Sequence, residues 1–321
     1  MTWIVGIDEA GSGPNLGPLV MTGVACRVPE ELVAVSLWRR LRQAVRRRPL
    51  EDDERLYIAD SKEVYSPARG LGDLEKSVLA TLALLPLEGG LLLRRLLEHV
   101  CPARHHELEP EPWYAGDSLL PVATESATII AATEAFARCC LKNQIIIGVI
   151  RSVVVCPRRF NTFLDRWGSK GAILGDGLAE LVQACPGTVD DEEPLLFLVD
   201  KHGGRNNYAA MLQNAFPDGM VVAMEERMAR SVYRVLGLGR DIQLVIEPRA
   251  DDRHFCVALA SMVSKYIREV LMLEFNRFWQ GHVPGLKATA GYPTDASRYY
   301  ADILPAVKRL GLDEATVWRR K

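Results

Sequence analysis

No apolar run in this 321-residue chain reaches the roughly 20 residues that a membrane-crossing helix needs. No basic stretch precedes the first apolar residues, so neither secretion nor membrane insertion is expected, and the cytoplasm is the expected compartment. The seven cysteines form no C-x-x-C pair, which removes zinc-knuckle spacing. Cys139 and Cys140 are adjacent, an arrangement suited neither to a knuckle nor to a simple disulfide. Reduced thiols that fill the core are therefore expected. Internal repeats and low-complexity segments are also missing. Net charge is only −2, so the protein as a whole is not a polycation.

What is present is ordinary in bulk and uneven in detail. Apolar residues make up 48% and charged residues 25%, as in soluble globular proteins, and the length suits one large domain or two modest ones. Arg39, Arg40, Arg42, Arg46, Arg47 and Arg48 crowd one segment, and Arg319, Arg320 and Lys321 close the sequence. Local basic patches of this kind can serve nucleic acid without a high overall pI. The plainer alternative is a solvated helix face paired with Glu51, Asp52, Asp53 and Glu54.

Residues 2–8 and 19–28 read as strands around a glycine-rich loop, followed by a helix over 30–48. Asp60-Ser61-Lys62 reads as a loop before a helix near 70–85. Gly89, Gly90, Pro102, Pro110 and Pro112 make 86–120 irregular. A helix over 124–141, a strand from Ile145 to Val155 ended by Cys156-Pro157, and a helix near 171–185 come next. Asp190 to Glu193 form a turn before a buried strand, 195–199. A strand over 242–246, a long helix over 255–280 and a last helix near 295–310 complete the pattern. Strands alternating with helices argue for an α/β sheet protein.

Acids stand at three element boundaries: Asp8-Glu9, Asp200 and Asp251. An Asp at such a place is commonly a turn former or a helix cap, as expected for Asp60 and Asp252. If the strands are neighbours, however, the four acids converge on one edge of the sheet. Carboxylates a few ångströms apart cannot all stay ionised without cations. An oxygen-rich site of this kind suits two Mg²⁺ or Mn²⁺ ions, which can support phosphodiester cleavage. The loop after Glu9 frees backbone N–H groups for close approach to a ligand. It lacks the Gly-Lys-Ser/Thr ending of a nucleotide-phosphate loop. His202, two residues after Asp200, could shuttle a proton, but a groove-lining or exposed imidazole is the simpler expectation.

The segment Gly6-Ile7-Asp8-Glu9-Ala10-Gly11-Ser12-Gly13-Pro14-Asn15-Leu16-Gly17-Pro18 resembles the opening motif of type 2 ribonuclease H (ribonuclease HII), G-[IV]-D-E-A-G-R-G-P-x-x-G-P. Asp60-Ser61-Lys62 is similar to its D-S-K segment, and Asp200 falls where the family has its third acid. Asp251 followed by Ala260-Ser261-Met262-Val263-Ser264-Lys265 resembles its A-S-I-x-A-K helix, and Gly291-Tyr292-Pro293-Thr294-Asp295 a G-Y-P-S-D loop of archaeal members. The five motifs occur in order and bracket residues 4 to about 300.

The resemblance implies a ribonuclease H-like mixed sheet flanked by helices. It implies a catalytic domain over 1–270 with a helical insertion near 66–145, and a helical substrate-binding segment over 271–321. It implies a monomeric endoribonuclease that cuts RNA in RNA–DNA hybrids, or DNA with embedded ribonucleotides, to 3′-hydroxyl and 5′-phosphate ends. Asp8, Glu9, Asp200 and Asp251 would hold the two divalent ions. Gly11, Ser12 and Gly13 would present backbone groups to the ribose 2′-hydroxyl. Tyr292 would stack near the sugar, and Lys62 and Lys265 would meet phosphates. The duller readings are a half-buried core tyrosine and two surface lysines.

Two departures stand out. Ser12 occupies a position where the family usually has Arg or Lys, as type 3 enzymes also have an uncharged residue there, and the number of ribonucleotides required stays open. Lys201-His202-Gly203-Gly204 replaces the family's usual D-G continuation. A weak or inactive hybrid-binding protein that retains the fold is the alternative. Intact carboxylates argue against it, because a mere binder would gain from losing their repulsion.

Overall fold

The apolar runs at 3–7 and 195–199 are too long to be half-exposed, and they become the centre of a sheet buried on both faces. The computed structural model describes residues 1–86, 92–185 and 192–320. Gly89, Gly90, Asp190 and Lys321 lie outside the described residues. The strands are β1 (Thr2–Ala10), β2 (Leu19–Val28), β3 (Val45–Arg46), β4 (Leu56–Tyr57), β5 (Ile146–Val155), β6 (Leu195–Asp200), β7 (Met220–Glu226), β8 (Ser231–Leu236) and β9 (Ile242–Glu247). The helices before β5 are α1 (Leu37–Arg40), α2 (Ser61–Val64), α3 (Gly72–Leu82), α4 (Leu93–Val100) and α5 (Ser126–Lys142). Those after it are α6 (Pro157–Trp167), α7 (Lys170–Ala184), α8 (Ala209–Ala215), α9 (Ala250–Arg253), α10 (Phe255–His282), α11 (Pro293–Arg309) and α12 (Glu314–Val317).

Seven strands form one mixed sheet in the order β5-β2-β1-β6-β9-β8-β7, with β1, β6 and β9 parallel. Ile7 pairs with Val199, and Asp200 pairs with Glu247, so the carboxyl ends of these three strands lie together. Side chains alternate between the faces. Ile4, Val20, Val24, Leu198 and Val245 pack against α10 and the helices α3 and α5. Val5, Ile7, Phe197, Val199 and Leu244 pack on the opposite face with α7 and α8. The result is a sheet between two helical layers.

α10 lies closest to β1 where Gly6 has no side chain. A methyl group there would overlap the backbone of Cys256 and Val257. Ser264 Oγ tightens the contact by donating to the Asp8 carbonyl at 3.2 Å. α3 packs against α10, and α5 packs on α3. Glu75 in α3 is fully buried, and its carboxylate accepts from Val122 N and Ala123 N at 2.7 Å and from the Tyr266 hydroxyl at 2.9 Å. α10 runs unbroken across residue 270.

Three expectations change. The helix expected over 30–48 is a 3-10 turn (Glu30–Leu32), the single turn α1, and β3. Trp38 Nε1 donates to Ile58 O at 2.8 Å, and Arg46 is buried between Asp73 at 3.0 Å and the Tyr57 ring. These contacts need the chain to fold flat against β4, which one continuous helix would prevent. The stretch 86–120 contains α4, which buries Leu93, Leu96, Leu97 and Val100 on one side. Cys156-Pro157 ends β5 as expected, but Pro157 also opens α6, where its fixed φ and missing N–H suit the first turn. All seven cysteines are buried and free, as expected of core thiols.

The Gly6 contact gives a direct test. Gly6→Ala should lower stability by more than about 3 kcal/mol in urea unfolding, or prevent folding, because backbone rather than a flexible side chain must move. Gly204→Ala, with open space around it, should change stability by less than about 0.5 kcal/mol.

Candidate active site

One cleft of about 600 Å³ opens beyond the carboxyl ends of β1 and β6. Its walls include Asp8, Glu9, Gly11, Ser12, Gly13, Lys62, Asp200, Asp251, Lys265 and Tyr292. These ten candidates from the sequence therefore border the same space, and His202 does not. Such crevices outside the carboxyl ends of parallel strands are where open α/β sheets bind ligands.

β1 continues to Ala10, so Asp8 and Glu9 are still strand residues rather than the start of a loop. Period-two alternation sends their side chains to opposite faces. Asp8 shares the parity of Ile4 and Gly6, toward α10. Glu9 shares that of Ile7, and its Oε2 lies 4.0 Å from His202 Nε2. Asp200 Oδ1 accepts from Ala250 N at 2.8 Å, which anchors α9 and brings Asp251 to the cleft. Glu247, paired with Asp200 across β6 and β9, is held by His254 at 2.8 Å and Arg253 at 3.1 Å.

The acids feel one another. Burial raises the Asp8 carboxyl well above the usual range, and the charges of Glu9, Asp200 and Asp251 add to it, while a hydrogen bond from Ser261 opposes them. Burial and Asp200 push Glu9 up to about 7. Burial, then Asp60 and Asp200, push Asp251 up to about 6. Burial also raises Asp200, partly offset by the Ala250 hydrogen bond and by Lys62. Burial works to lower the Lys62 ammonium, but Asp60, Asp251, Asp8 and Asp200 outweigh it and raise it. Lys62 thus stands in the field of the acids. Lys265 is engaged differently: its Nζ is 2.7 Å from Glu269 Oε1 and 4.7 Å from the centre of the Tyr65 ring.

Crowded, buried carboxylates with raised proton affinity form a donor set suited to a hard divalent cation. Glu9 Oε2 is buried without a hydrogen-bond partner, so one acid oxygen has unused capacity. Among the described residues, no three His, Cys, Asp or Glu side chains already close into a metal cage.

Asp60 is the helix cap expected of it, accepting from Lys62 N at 2.9 Å. Asp252 carries an ion pair with Arg47 at the cleft rim. His202 differs from expectation. It neither lines the cleft nor meets solvent, and burial and Arg205 hold its imidazole down at about 4. Both ring nitrogens lack a hydrogen-bond partner, and Tyr208 packs against the ring. Ser61 and Ser261 are site residues that the acid pattern did not reveal. Their hydroxyls bond at 3.0 Å beneath Asp8.

The glycine loop is held from two sides. On one side, Asn15 N donates to Gly291 O at 2.8 Å, which places Tyr292 against Gly13. Tyr292 is 44% exposed, free to meet a ligand. On the other side, residues 318–320 pair with the loop through Arg319 N to Asn15 O at 2.7 Å and Asn15 Nδ2 to Arg319 O at 3.0 Å. Arg319 is not part of a surface patch. It is 1% exposed, lies over the Phe160 ring, and donates to Gly11 O at 2.7 Å. Burial and neighbouring Arg268 hold its guanidinium down at about 9. Arg320 pairs with Asp165 at 2.6 Å.

Two outcomes follow from this geometry. Glu9 and Asp251 have folded-state affinities above their unfolded ones, so their stabilising contribution is present below about pH 4 and is lost as pH rises through about 6 and 7. Added Mg²⁺ or Mn²⁺ should therefore raise the melting temperature by several degrees at pH 8 and by much less at pH 5 in a thermal-shift assay. Equal shifts at both pH values would contradict it. Arg319→Met should leave global stability within about 1 kcal/mol, because an apolar isostere avoids burying charge. Amide exchange across residues 11–17 should nevertheless accelerate about tenfold or more as the loop loses its clamp. Unchanged exchange there would show that Arg319 does not hold the loop.

No protein-family model matches the chain, and no curated protein matches it. Among solved structures, ribonuclease H2 from Pyrococcus horikoshii OT3 aligns over 98% of this chain and 92% of its own, with 16% identity and a TM-score of 0.50. Ribonuclease HII from Archaeoglobus fulgidus, solved in complex with PCNA, aligns over 99% and 94% with 18% identity and a TM-score of 0.47. Bst-RNase HIII in complex with Mn²⁺ aligns over 99% of this chain and 66% of its own, with 15% identity and a TM-score of 0.46. Among the described residues no helix is long and apolar enough to cross a membrane. At such identities the likeness speaks for architecture alone: the chain has the ribonuclease H-like α/β fold, in the form seen in a type 2 enzyme.

Proposed function

We propose that this protein is a divalent-metal-dependent endoribonuclease that cuts the RNA strand of RNA–DNA duplexes, leaving 3′-hydroxyl and 5′-phosphate ends. The observation that carries this reading is the gathering of Asp8, Glu9, Asp200 and Asp251 at one cleft whose other wall is a bare-backbone glycine loop. Carboxylates alone would repel a phosphodiester. Their mutual repulsion fits them instead to divalent ions, and the ribonuclease H-like fold fits the same reading.

Asp8, Glu9, Asp200 and Asp251 would hold the ions. When bound, such ions supply a water nucleophile near neutral pH and charge stabilisation for the leaving oxygen. Ser261 keeps Asp8 oriented and favours its ionised form. Lys62, charged and facing the acids, would meet a phosphate oxygen as a point charge. Gly11 to Gly13 would offer backbone groups to the ribose 2′-hydroxyl, the feature that separates RNA from DNA. Tyr292, exposed beside Gly13, would stack on the sugar or base next to the cut. Lys265, which borders the cleft and pairs with Glu269, would meet a second phosphate oxygen.

The second reading is a protein that binds hybrid duplex without cutting it. Ser12, uncharged where the resembled family usually carries Arg or Lys, favours that reading. One assay separates the two. Purified protein should nick an RNA–DNA hybrid, or a DNA duplex with one embedded ribonucleotide, in Mg²⁺ or Mn²⁺. Asp8→Asn should reduce cleavage roughly 10³-fold or more while duplex binding and the melting curve persist. Duplex capture by the unaltered protein with no cleavage in any divalent ion would decide for the binder.

A further inference from the structure

Arg39, Arg40 and Arg42 project from α1 and the turn after it, and Lys142 ends α5 beside them. All four are exposed and line one surface cavity of about 460 Å³. Among the described residues, none of the four has a carboxylate within 4.0 Å. The pairing with residues 51–54 that would neutralise them does not form, since Asp53 is taken by Arg55 at 2.6 Å. Arg46, the buried member of the run, is taken by Asp73. Lys142 Nζ reaches only the neutral Gln43 side chain, at 3.4 Å. Four cations crowded without an acid repel one another, and a polyanion would relieve that repulsion while releasing its own counterions.

The cavity is separate from the cleft, with no lining residue in common, and Arg47 connects their neighbourhoods. Asp252 lines the cleft rim. Arg47 donates to its carbonyl and stacks 4.7 Å from the centre of the Trp38 ring. Trp38 precedes Arg39 in the chain, so Arg47 lies between the cleft rim and the helix α1 that carries Arg39 and Arg40. The cavity offers charge without an exposed aromatic platform, which suits phosphates rather than bases.

We propose that this basic cavity grips the phosphodiester backbone of the bound duplex beyond the cleft, independently of sequence. The proposal rests on the nuclease reading for its substrate, but its readout does not need cleavage. Binding of a long DNA duplex carrying one ribonucleotide is followed by fluorescence anisotropy in EDTA across a salt series. The probe variant is Arg39→Gln, Arg40→Gln, Arg42→Gln and Lys142→Gln combined. The slope of log affinity against log salt should become shallower by about 3 to 4, as expected for four lost phosphate contacts, with an unchanged melting curve. A control with Arg94→Gln, Arg95→Gln, Arg138→Gln and Arg234→Gln should keep the original slope.

An unchanged slope in the probe variant overturns the proposal. So does equal flattening in both variants, which would reflect net charge alone. Loss of binding to anionic phospholipid vesicles with duplex binding intact would overturn it in favour of a membrane surface. If the unaltered protein cuts and the slope does not change, the cavity assignment fails and the nuclease reading stands. If it never cuts but the slope flattens, the cavity assignment stands and the nuclease reading fails.

Discussion

The contact between Gly6 and the first turn of α10 is the constraint on which the rest of the site depends. It lets a helix backbone rest directly on the central strand, where any side chain at residue 6 would hold it away. With α10 in place, Ser264 reaches both the Asp8 carbonyl and Thr22, at 2.8 Å from the latter. Ser261 comes under the Asp8 carboxylate, and Lys265 and Arg268 fall on the turn that faces the glycine loop. α9, immediately before α10, is then left at the end of β6, which is why Asp200 can bond Ala250 and why Asp251 joins the cleft. A packing distance set in the core thus becomes the spacing of charged groups at its edge.

Those charged groups oppose the fold that holds them. Carboxylates raised by burial and by one another weaken the ionised protein, and on their own strand the Glu9 amide opposes this by donating to Asp8 Oδ1 at 2.7 Å. Further compensation comes from elsewhere: the Lys62 ammonium, the Ser261 hydroxyl and the Ala250 amide. The glycine loop follows the same logic. Gly11 adopts φ +85°, and its missing side chain leaves room for the Arg268 stem and the Pro18 carbonyl. Such a loop has little intrinsic rigidity. The Gly291 segment on one side and Arg319 on the other supply it.

Much of this was legible in the sequence where a signal is local. β1, β2, β5, β6, β9 and α10 announce themselves by long apolar or β-branched runs, because each is buried over most of its length. β7 was not legible: it is an edge strand whose Met220 and Met224 are exposed, so no face alternates cleanly. The arginine-rich 30–48 stretch reads as helix by composition, yet Trp38 and Arg46 are placed by partners 20 and 27 residues away. The acids Asp8, Glu9, Asp200 and Asp251 and the glycine loop are legible as local signals, whereas Ser12, Lys62, Lys265 and Tyr292 are singled out only by the motif resemblance. Ser61 and Ser261 bond across 200 residues, and Arg319 bonds Gly11 across 308. No periodicity records such pairings. His202 was misjudged for the same reason: its burial is set by Tyr208 and Glu9, not by its position two residues after Asp200.

The alternation of Asp8 and Glu9 constrains how any ligand can use them. Asp8 leaves β1 toward α10, and Glu9 leaves it toward His202 and the α7 layer. A group lying on either face of the sheet could meet only one of the two. Both become reachable only beyond the strand ends, where the backbone stops separating them and where Asp200 also ends β6. The glycine loop begins at that point, and Lys62 faces it from α2. An approach along the strand direction therefore brings a ligand to all four acids, the bare backbone and Lys62 together. An approach across the sheet face meets the packed side chains of α10 or α7 instead, so the topology itself selects the direction from which a ligand can reach the acids.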